Sequence, residues 1–265
     1  MKKTNHRPIA FVLVSTNHGT MLVNRHDYRL VEDSGFGVGF QLLETSSFDQ
    51  PEINIALQLL QTRKEQHGDG VVAIDCGANI GVHTIEWAQL MSGWGDVIAF
   101  EAQERIFYAL AGNIIINNCF NARAIWAAVG SSNGQIGVPV PDYLSPSSFG
   151  SLEIIETKNN EFIGQQINYK NLQQTQMISI DEIKLTRVDL IKIDIEGMEM
   201  EALNGAKDTI RRTKPHLIIE KIKSNELEIN TFLKNHGYKI FPLGMNILGV
   251  HESEPLSSQI SIEEN

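Results

Sequence analysis

The segment "VDLIKIDIEGMEME", Val188 to Glu201, concentrates ionisable groups at the end of an apolar run. Lys192 and Asp194 are two residues apart, so on a strand they share one face. Glu196 falls in the turn that follows, and Glu220 closes the next apolar run, "HLIIE". If those runs are neighbouring strands, the carboxylates of Asp194, Glu196 and Glu220 converge. Two chemistries suit such a cluster. One carboxylate, its pKa raised by burial and by like-charged neighbours, can take the proton of an alcohol. Alternatively, Asp194 and Glu220 can hold Mg²⁺, which binds and acidifies the hydroxyl. Lys192 competes with a cation for Asp194, which favours the metal-free chemistry and a site with no resident metal. Glu199 and Glu201 read as charges at a helix start, favoured there by the helix dipole. His83, and His251 at the close of the last apolar run, are further candidates for a base because imidazole titrates near neutrality.

A second stretch, "VVAIDCGANIGVH" from Val71 to His83, is an apolar strand ending on an acid, a glycine turn and a helix start. Gly77 and Gly81 let backbone amides approach a ligand closely. The spacing Asp75-x-Gly77-x-x-x-Gly81 lacks the G-x-G-x-x-G of a pyrophosphate site. An acid at the strand end repels phosphate, yet it can hold an ammonium or a chain of waters. The following run, "VIAFEA", places Glu101 at its tip, where an acid accepts both hydroxyls of a ribose. An amino-acid tail on one side and a ribose on the other describe S-adenosylmethionine. A nicotinamide-dependent oxidoreductase shares the strand-turn-helix and is disfavoured by the absent third glycine; a non-catalytic binding protein has no need of Asp194, Glu196 and Glu220.

The elements that must position these residues alternate. Apolar runs at Val71–Asp75, Asp96–Glu101, Ala122–Val129, Val188–Asp194, His216–Glu220, Lys239–Pro242 and Ile247–His251 predict strands. Helical periods fall near Ile80–Met91, Arg105–Asn118, Met198–Arg212 and Ser224–His236. Such alternation implies an α/β fold with a doubly wound, mostly parallel sheet, whose ligands lie beyond the carboxyl ends of the strands. Upstream, two β-like runs flank Asn17-His18-Gly19, a hairpin pattern. Ser34–Gly39 is loop-like. Pro51 opens a helix with an apolar stripe of Ile53, Ala56, Leu59 and Leu60. Pro141–Met177 is polar and too long for a simple connection, which suggests a mobile lid over the site. Residues 1–68 therefore read as an N-terminal extension of hairpin, loop and helix, 69–252 as the main domain with an insertion at 141–177, and 253–265 as a polar tail.

The net charge of −10 repels phosphate backbones and anionic lipid surfaces, so neither nucleic acid nor membrane is expected as a partner. Two cysteines, Cys76 and Cys119, give no disulfide framework or thiolate metal site. Lys2, Lys3 and Arg7 precede the apolar run Pro8–Val14 as in a secretory leader, but the run is short and no small-x-small pattern follows. The cytoplasm is the expected compartment. A homodimer is compatible with the sequence and not required by it.

"VVAIDCGANIGVHT", "VIAFEAQERIFYALAGNIIINN", "AAVG" and "VDLIKIDIEGMEMEALNGA" followed by "KPHLIIEKI" resemble the FkbM-type S-adenosylmethionine-dependent methyltransferases, with the motifs in family order from Val71 to His251. The resemblance implies a Rossmann-like class I methyltransferase fold, a seven-stranded sheet with a reversed final strand. It also implies O-methylation of a hydroxyl on a small molecule or glycan, of sugar or polyketide type. Carried onto this chain, the cofactor set is Asp75, Gly77, Ala78, Asn79, Gly81, His83, Glu101, Ala102 and Ala128. The catalytic candidates are Lys192, Asp194, Glu196, Glu220 and His251. The extension and much of the insertion lie outside the resemblance, so the acceptor is not inherited from it.

Overall fold

The computed structural model describes residues 8–32 and 34–258. Lys2, Lys3 and Arg7 of the leader-like start, and the tail beyond Ser258, lie outside the described residues. The apolar run after them enters strand β1 (Phe11–Thr16), which pairs with β2 (Gly19–Asn24) in the expected antiparallel hairpin. Strands β3 (Arg29–Val31) and β4 (Ser34–Phe36) form a second hairpin, followed by helix α1 (Val38–Thr45). The loop-like Ser34–Gly39 is therefore strand and helix start. Gly37 turns between them at φ +130°, where a Cβ would lie 2.5 Å from the Asp27 carbonyl oxygen. Helix α2 (Gln50–His67) has Pro51 in its first turn and buries the stripe Ile53, Ala56, Leu59 and Leu60.

The central sheet is built by β5 (Val71–Cys76), α3 (Val82–Leu90), β6 (Gly95–Glu101), α4 (Glu104–Ile116) and β7 (Ala122–Trp126) on one side. A small sheet intervenes, made of β8 (Ala128–Val129), β9 (Gly134–Pro139) and β10 (Leu172–Ile178). Helix α5 (Ile180–Ile183), β11 (Leu190–Ile193), α6 (Glu199–Gly205), α7 (Lys207–Thr213), β12 (His216–Glu220), α8 (Glu226–Asn235), β13 (Tyr238–Leu243) and β14 (Asn246–His251) complete the chain. The seven strands stand in the order β13-β14-β12-β11-β5-β6-β7. Those from β12 to β7 are parallel, while β14 runs antiparallel to both neighbours. The last strand is thus reversed. Winding changes direction between β5 and β11, which opens the crevice beyond their carboxyl ends. Both faces are covered, with Leu60, Ile85 and Leu110 in one core and Leu203, Ile210 and Leu233 in the other. Double coverage explains why the parallel strands read as continuous apolar runs.

Three elements differ from their sequence patterns. The helical period Met198–Arg212 breaks at Ala206, because the Asp181 carboxylate accepts the Asp208 and Thr209 N–H groups and starts a new helix there. The run Ala122–Val129 divides at Ala127: β7 joins the central sheet, and β8 leaves to pair with β10. Within Pro141–Met177, the last residues form β10 against β9, and the rest is tied to the body of the protein at several points. Fully buried Asp27 accepts N–H bonds from Phe149, in that segment, and from Gly39, at 2.9 and 2.8 Å. Burial raises the Asp27 carboxyl to about 6, against the lowering effect of those two N–H bonds. Arg29 adds an ion pair to Glu161, and Gln103 Nε2 donates to the Phe149 carbonyl. Asp27→Ala leaves two buried N–H groups without an acceptor, so about 2–3 kcal/mol of stability should be lost. Urea unfolding measures the loss, and limited proteolysis should then cut first between residues 141 and 165.

Candidate active site

The crevice is a cavity of about 420 Å³ at the carboxyl ends of β5, β6, β11 and β12. At its floor the chain leaves β5 through Gly77, Asn79 and Gly81, at φ +80°, +50° and +92°. This left-handed series keeps the turn tight. The amides of Gly77 and Ala78 donate to the Phe100 carbonyl, joining the loop to the tip of β6. Gly81 stays outside the lining; its missing side chain makes room for Leu110, whose Cδ1 would lie 2.6 Å from a Cβ there. One oxygen of buried Asp75 accepts the Thr84 hydroxyl at 2.6 Å, and the other has no partner. That second oxygen is available to an ammonium.

Glu101, also buried, accepts the Asn79 and Gln103 amides at 3.0 and 2.7 Å. Burial pushes its carboxyl up to about 7, opposed by those amides and helped by the Asp75 charge. Ala78, Ala102, Ala128 and His83 line the same cavity. A buried carboxylate at the tip of β6 and an orphan Asp75 oxygen beside the glycine turn together fit S-adenosylmethionine. Glu101→Ala should weaken S-adenosylhomocysteine binding by about tenfold or more through loss of charge-assisted bonds. An ionised carboxylate is the stronger acceptor for ribose hydroxyls, so affinity in the unsubstituted protein is expected to fall as pH drops below about 7. Calorimetry across pH measures both effects, and unchanged affinity in the variant would assign the ribose to another group.

At the other strand tips, Lys192, Asp194, Glu196 and Glu220 do converge on the cavity. Lys192 Nζ donates to Asp194 Oδ2 at 2.7 Å. Burial acts against the Lys192 charge, but the Asp194, Glu52 and Asp75 carboxylates outweigh it and push its pKa up. Glu196 stands at φ +57°, an uncommon conformation for a side chain of its size, and pairs with Lys223. Lys223 also reaches Glu161 and the Ser151 carbonyl, which ties the inserted segment to the strand tips. Burial, then the charges of Asp194 and Glu220, hold the Glu196 carboxyl well above its ordinary value. Glu220 is raised to about 8 by burial and then by Asp194 and Glu199. No lysine or arginine within the described residues pairs with it, and Oε2 is buried without a hydrogen-bond partner. Glu199 braces the turn by accepting the Ile195 and Gly197 amides, and Glu201 is exposed.

His251 does not belong to this group. Since β14 is antiparallel, its final residue lies at the amino ends of the parallel strands, where His251 packs against Tyr238 and bonds Ser253. The first residue of the same strand, Asn246, occupies the site instead, opposite Glu220. Sequence patterning also missed Lys223, Asp49 and Glu52. Asn246 had a readable signal, the reversed final strand; Asp49 and Glu52 stand in the remote extension and carried none.

Residues 75–240 match the methyltransferase FkbM domain. Methyltransferase 1 of Beauveria bassiana is 22% identical over 65% of this chain and 74% of its own length. Methyltransferase sdnD of Sordaria araneosa is 21% identical over 63% of this chain and 73% of its own. The crystal structure of the methyltransferase FkbM from Methylobacillus flagellatus overlays with a TM-score of 0.46 and 21% identity, covering 69% of this chain; the present chain spans 43% of that protein. The matched segment runs from Asp75 through the glycine turn and the Lys192–Glu196 turn to Glu220 and beyond, more than half of the chain, and this protein belongs to the FkbM family of S-adenosylmethionine-dependent methyltransferases.

Proposed function

We propose that this protein methylates a hydroxyl of a small molecule or glycan, with Glu220 as the general base. The observation that carries this reading is the contrast among the three strand-end carboxylates. Asp194 pairs with Lys192 and Glu196 with Lys223, whereas Glu220 pairs with no lysine or arginine of the described residues. Bound S-adenosylmethionine supplies an electrophilic methyl group on a sulfonium. Glu220 Oε2 accepts the proton of the acceptor hydroxyl as the oxygen forms its bond to carbon and the carbon–sulfur bond breaks. Burial, and then the negative charges of Asp194 and Glu199, make Glu220 basic, and Lys192 holds Asp194 in place. Phe36, Ile154 and Met245 give the cavity apolar wall, which suits the non-polar faces of such an acceptor. The net charge of −10 disfavours nucleic acid and anionic membrane surfaces. Among the described residues no helix is long and apolar enough to cross a membrane.

The test is incubation with S-adenosylmethionine labelled in the methyl group and fractionated metabolite or glycan extract. Label should appear in an ether linkage that resists the mild base that cleaves methyl esters. Base-labile label, or label on nitrogen, would defeat the hydroxyl assignment.

A further inference from the structure

At the wall of the same cavity, where Asp49 and His83 line it and Glu52 lies behind them, is a second group of cation-seeking atoms that the methyl-transfer reading does not use. Asp49 immediately precedes α2, Glu52 lies in its first turn, and His83 lies in the first turn of α3. His83 Nε2 is 3.3 Å from Asp49 Oδ2 and 4.0 Å from Glu52 Oε1. His83 and Glu52 are each only 5% exposed, and both imidazole nitrogens and Glu52 Oε1 lack hydrogen-bond partners. Buried polar atoms in this state are costly unless something fills the gap between them.

The two acidic groups differ in their ion pairs. At the strand tips, the Lys192 and Lys223 ammonium groups already sit on Asp194 and Glu196. At Asp49 and Glu52 no lysine or arginine of the described residues comes within ion-pair distance; the Lys192 charge acts on Glu52 from farther off, and the basic group in contact with both acids is an imidazole whose nitrogens have no hydrogen-bond partner. The other oxygen of Glu52 accepts from Asn246 Nδ2, the kind of outer contact that orients a metal-binding carboxylate. Trp87 meets the His83 ring edge-on at 5.7 Å and fixes its plane.

We propose that Asp49, Glu52 and His83 bind a divalent transition-metal cation, with the remaining coordination positions open to the cavity. Both separations are within the span of two ligands on one ion, since each bond to zinc is about 2.0–2.2 Å. One imidazole and two carboxylates suit Zn²⁺ or Mn²⁺ better than Mg²⁺ or Ca²⁺, which favour all-oxygen shells. This site is distinct from the strand-tip carboxylates, and its existence does not depend on Glu220 being the base.

The test uses the full chain, stripped with a chelator and dialysed, titrated with Mn²⁺ under electron paramagnetic resonance and with Zn²⁺ by calorimetry. One ion per chain should bind. His83→Ala and Asp49→Asn should each weaken binding by about tenfold or more, and Glu220→Gln should leave it unchanged. Asp49 is partly exposed and its amide is isosteric, so that variant retains the fold if the buried His83→Ala does not. Absence of stoichiometric binding of either ion overturns the proposal. So does binding that survives Asp49→Asn and is lost in Glu220→Gln, which would put the ion at the strand tips.

Discussion

Glu220→Gln is expected to lower methyl transfer by about 10²-fold or more while moving S-adenosylhomocysteine affinity little. The amide preserves the shape of the strand end and removes the lone oxygen that can take a proton, a role whose loss typically costs 10²–10⁴-fold. Glu220 lies on β12, away from β5, β6 and the glycine turn where the cofactor is expected to bind, so S-adenosylhomocysteine affinity provides an internal control on folding. The pH profile gives the sign independently. A base works only when deprotonated, so the rate should rise with pH and level off above about 8, the value to which burial and then the Asp194 and Glu199 charges raise Glu220. Asp194→Asn removes one of those charges and leaves the Lys192 ammonium without its partner. Both changes favour ionised Glu220, and the rising limb should move to lower pH. The rate should also fall, because Asp194 no longer fixes the lysine. An Asp194→Asn enzyme with full turnover and an unshifted profile would remove the cluster from the mechanism; a Glu220→Gln enzyme that keeps its rate would transfer the role of base elsewhere.

The parts legible in the sequence were those encoded by local pattern. β5, β11 and β12 are buried on both faces and read as unbroken apolar runs, and the acids at their tips then fell into one crevice through topology alone. The glycine turn was equally plain, because positive φ at Gly77 and Gly81 demands that residue type. What escaped was non-local. His251 looked catalytic because an apolar run ended on it, but an antiparallel strand presents its first residue, Asn246, to the crevice. The Met198–Arg212 helix looked continuous because the carboxylate that restarts it, Asp181, belongs to another helix. The inserted segment is polar in composition, yet buried Asp27 and Lys223 hold it from outside its own sequence. Asp49 and Glu52 lie in an extension on which the strand–helix alternation has no bearing, and only packing of α2 beside α3 brings them to His83.

Gly77→Ala is expected to abolish S-adenosylhomocysteine binding, with a loss beyond about 100-fold, and to destabilise the fold as well. Two costs are combined at this position. At φ +80° a side chain is disfavoured by roughly 1–2 kcal/mol whatever surrounds it. In addition, the new Cβ would stand 1.8 Å from the Asp194 carbonyl oxygen, far inside contact distance. That oxygen is backbone and cannot rotate away, so the tips of β5 and β11 must separate. Their separation displaces the glycine turn and Asp194 together, which joins cofactor binding and the carboxylate cluster in one lesion. Gly68→Ala isolates the first cost, since Gly68 sits at φ +72° with no atom within 4 Å of a Cβ. With ψ at −171° Gly68 sits in a region nearly reserved for glycine, so the variant should lose roughly 1–3 kcal/mol of stability and leave binding and turnover intact. Calorimetry with S-adenosylhomocysteine and thermal unfolding of both variants measure the difference. Equal behaviour would mean that backbone strain alone, and not the contact between the two strand tips, makes glycine necessary at the floor of the site.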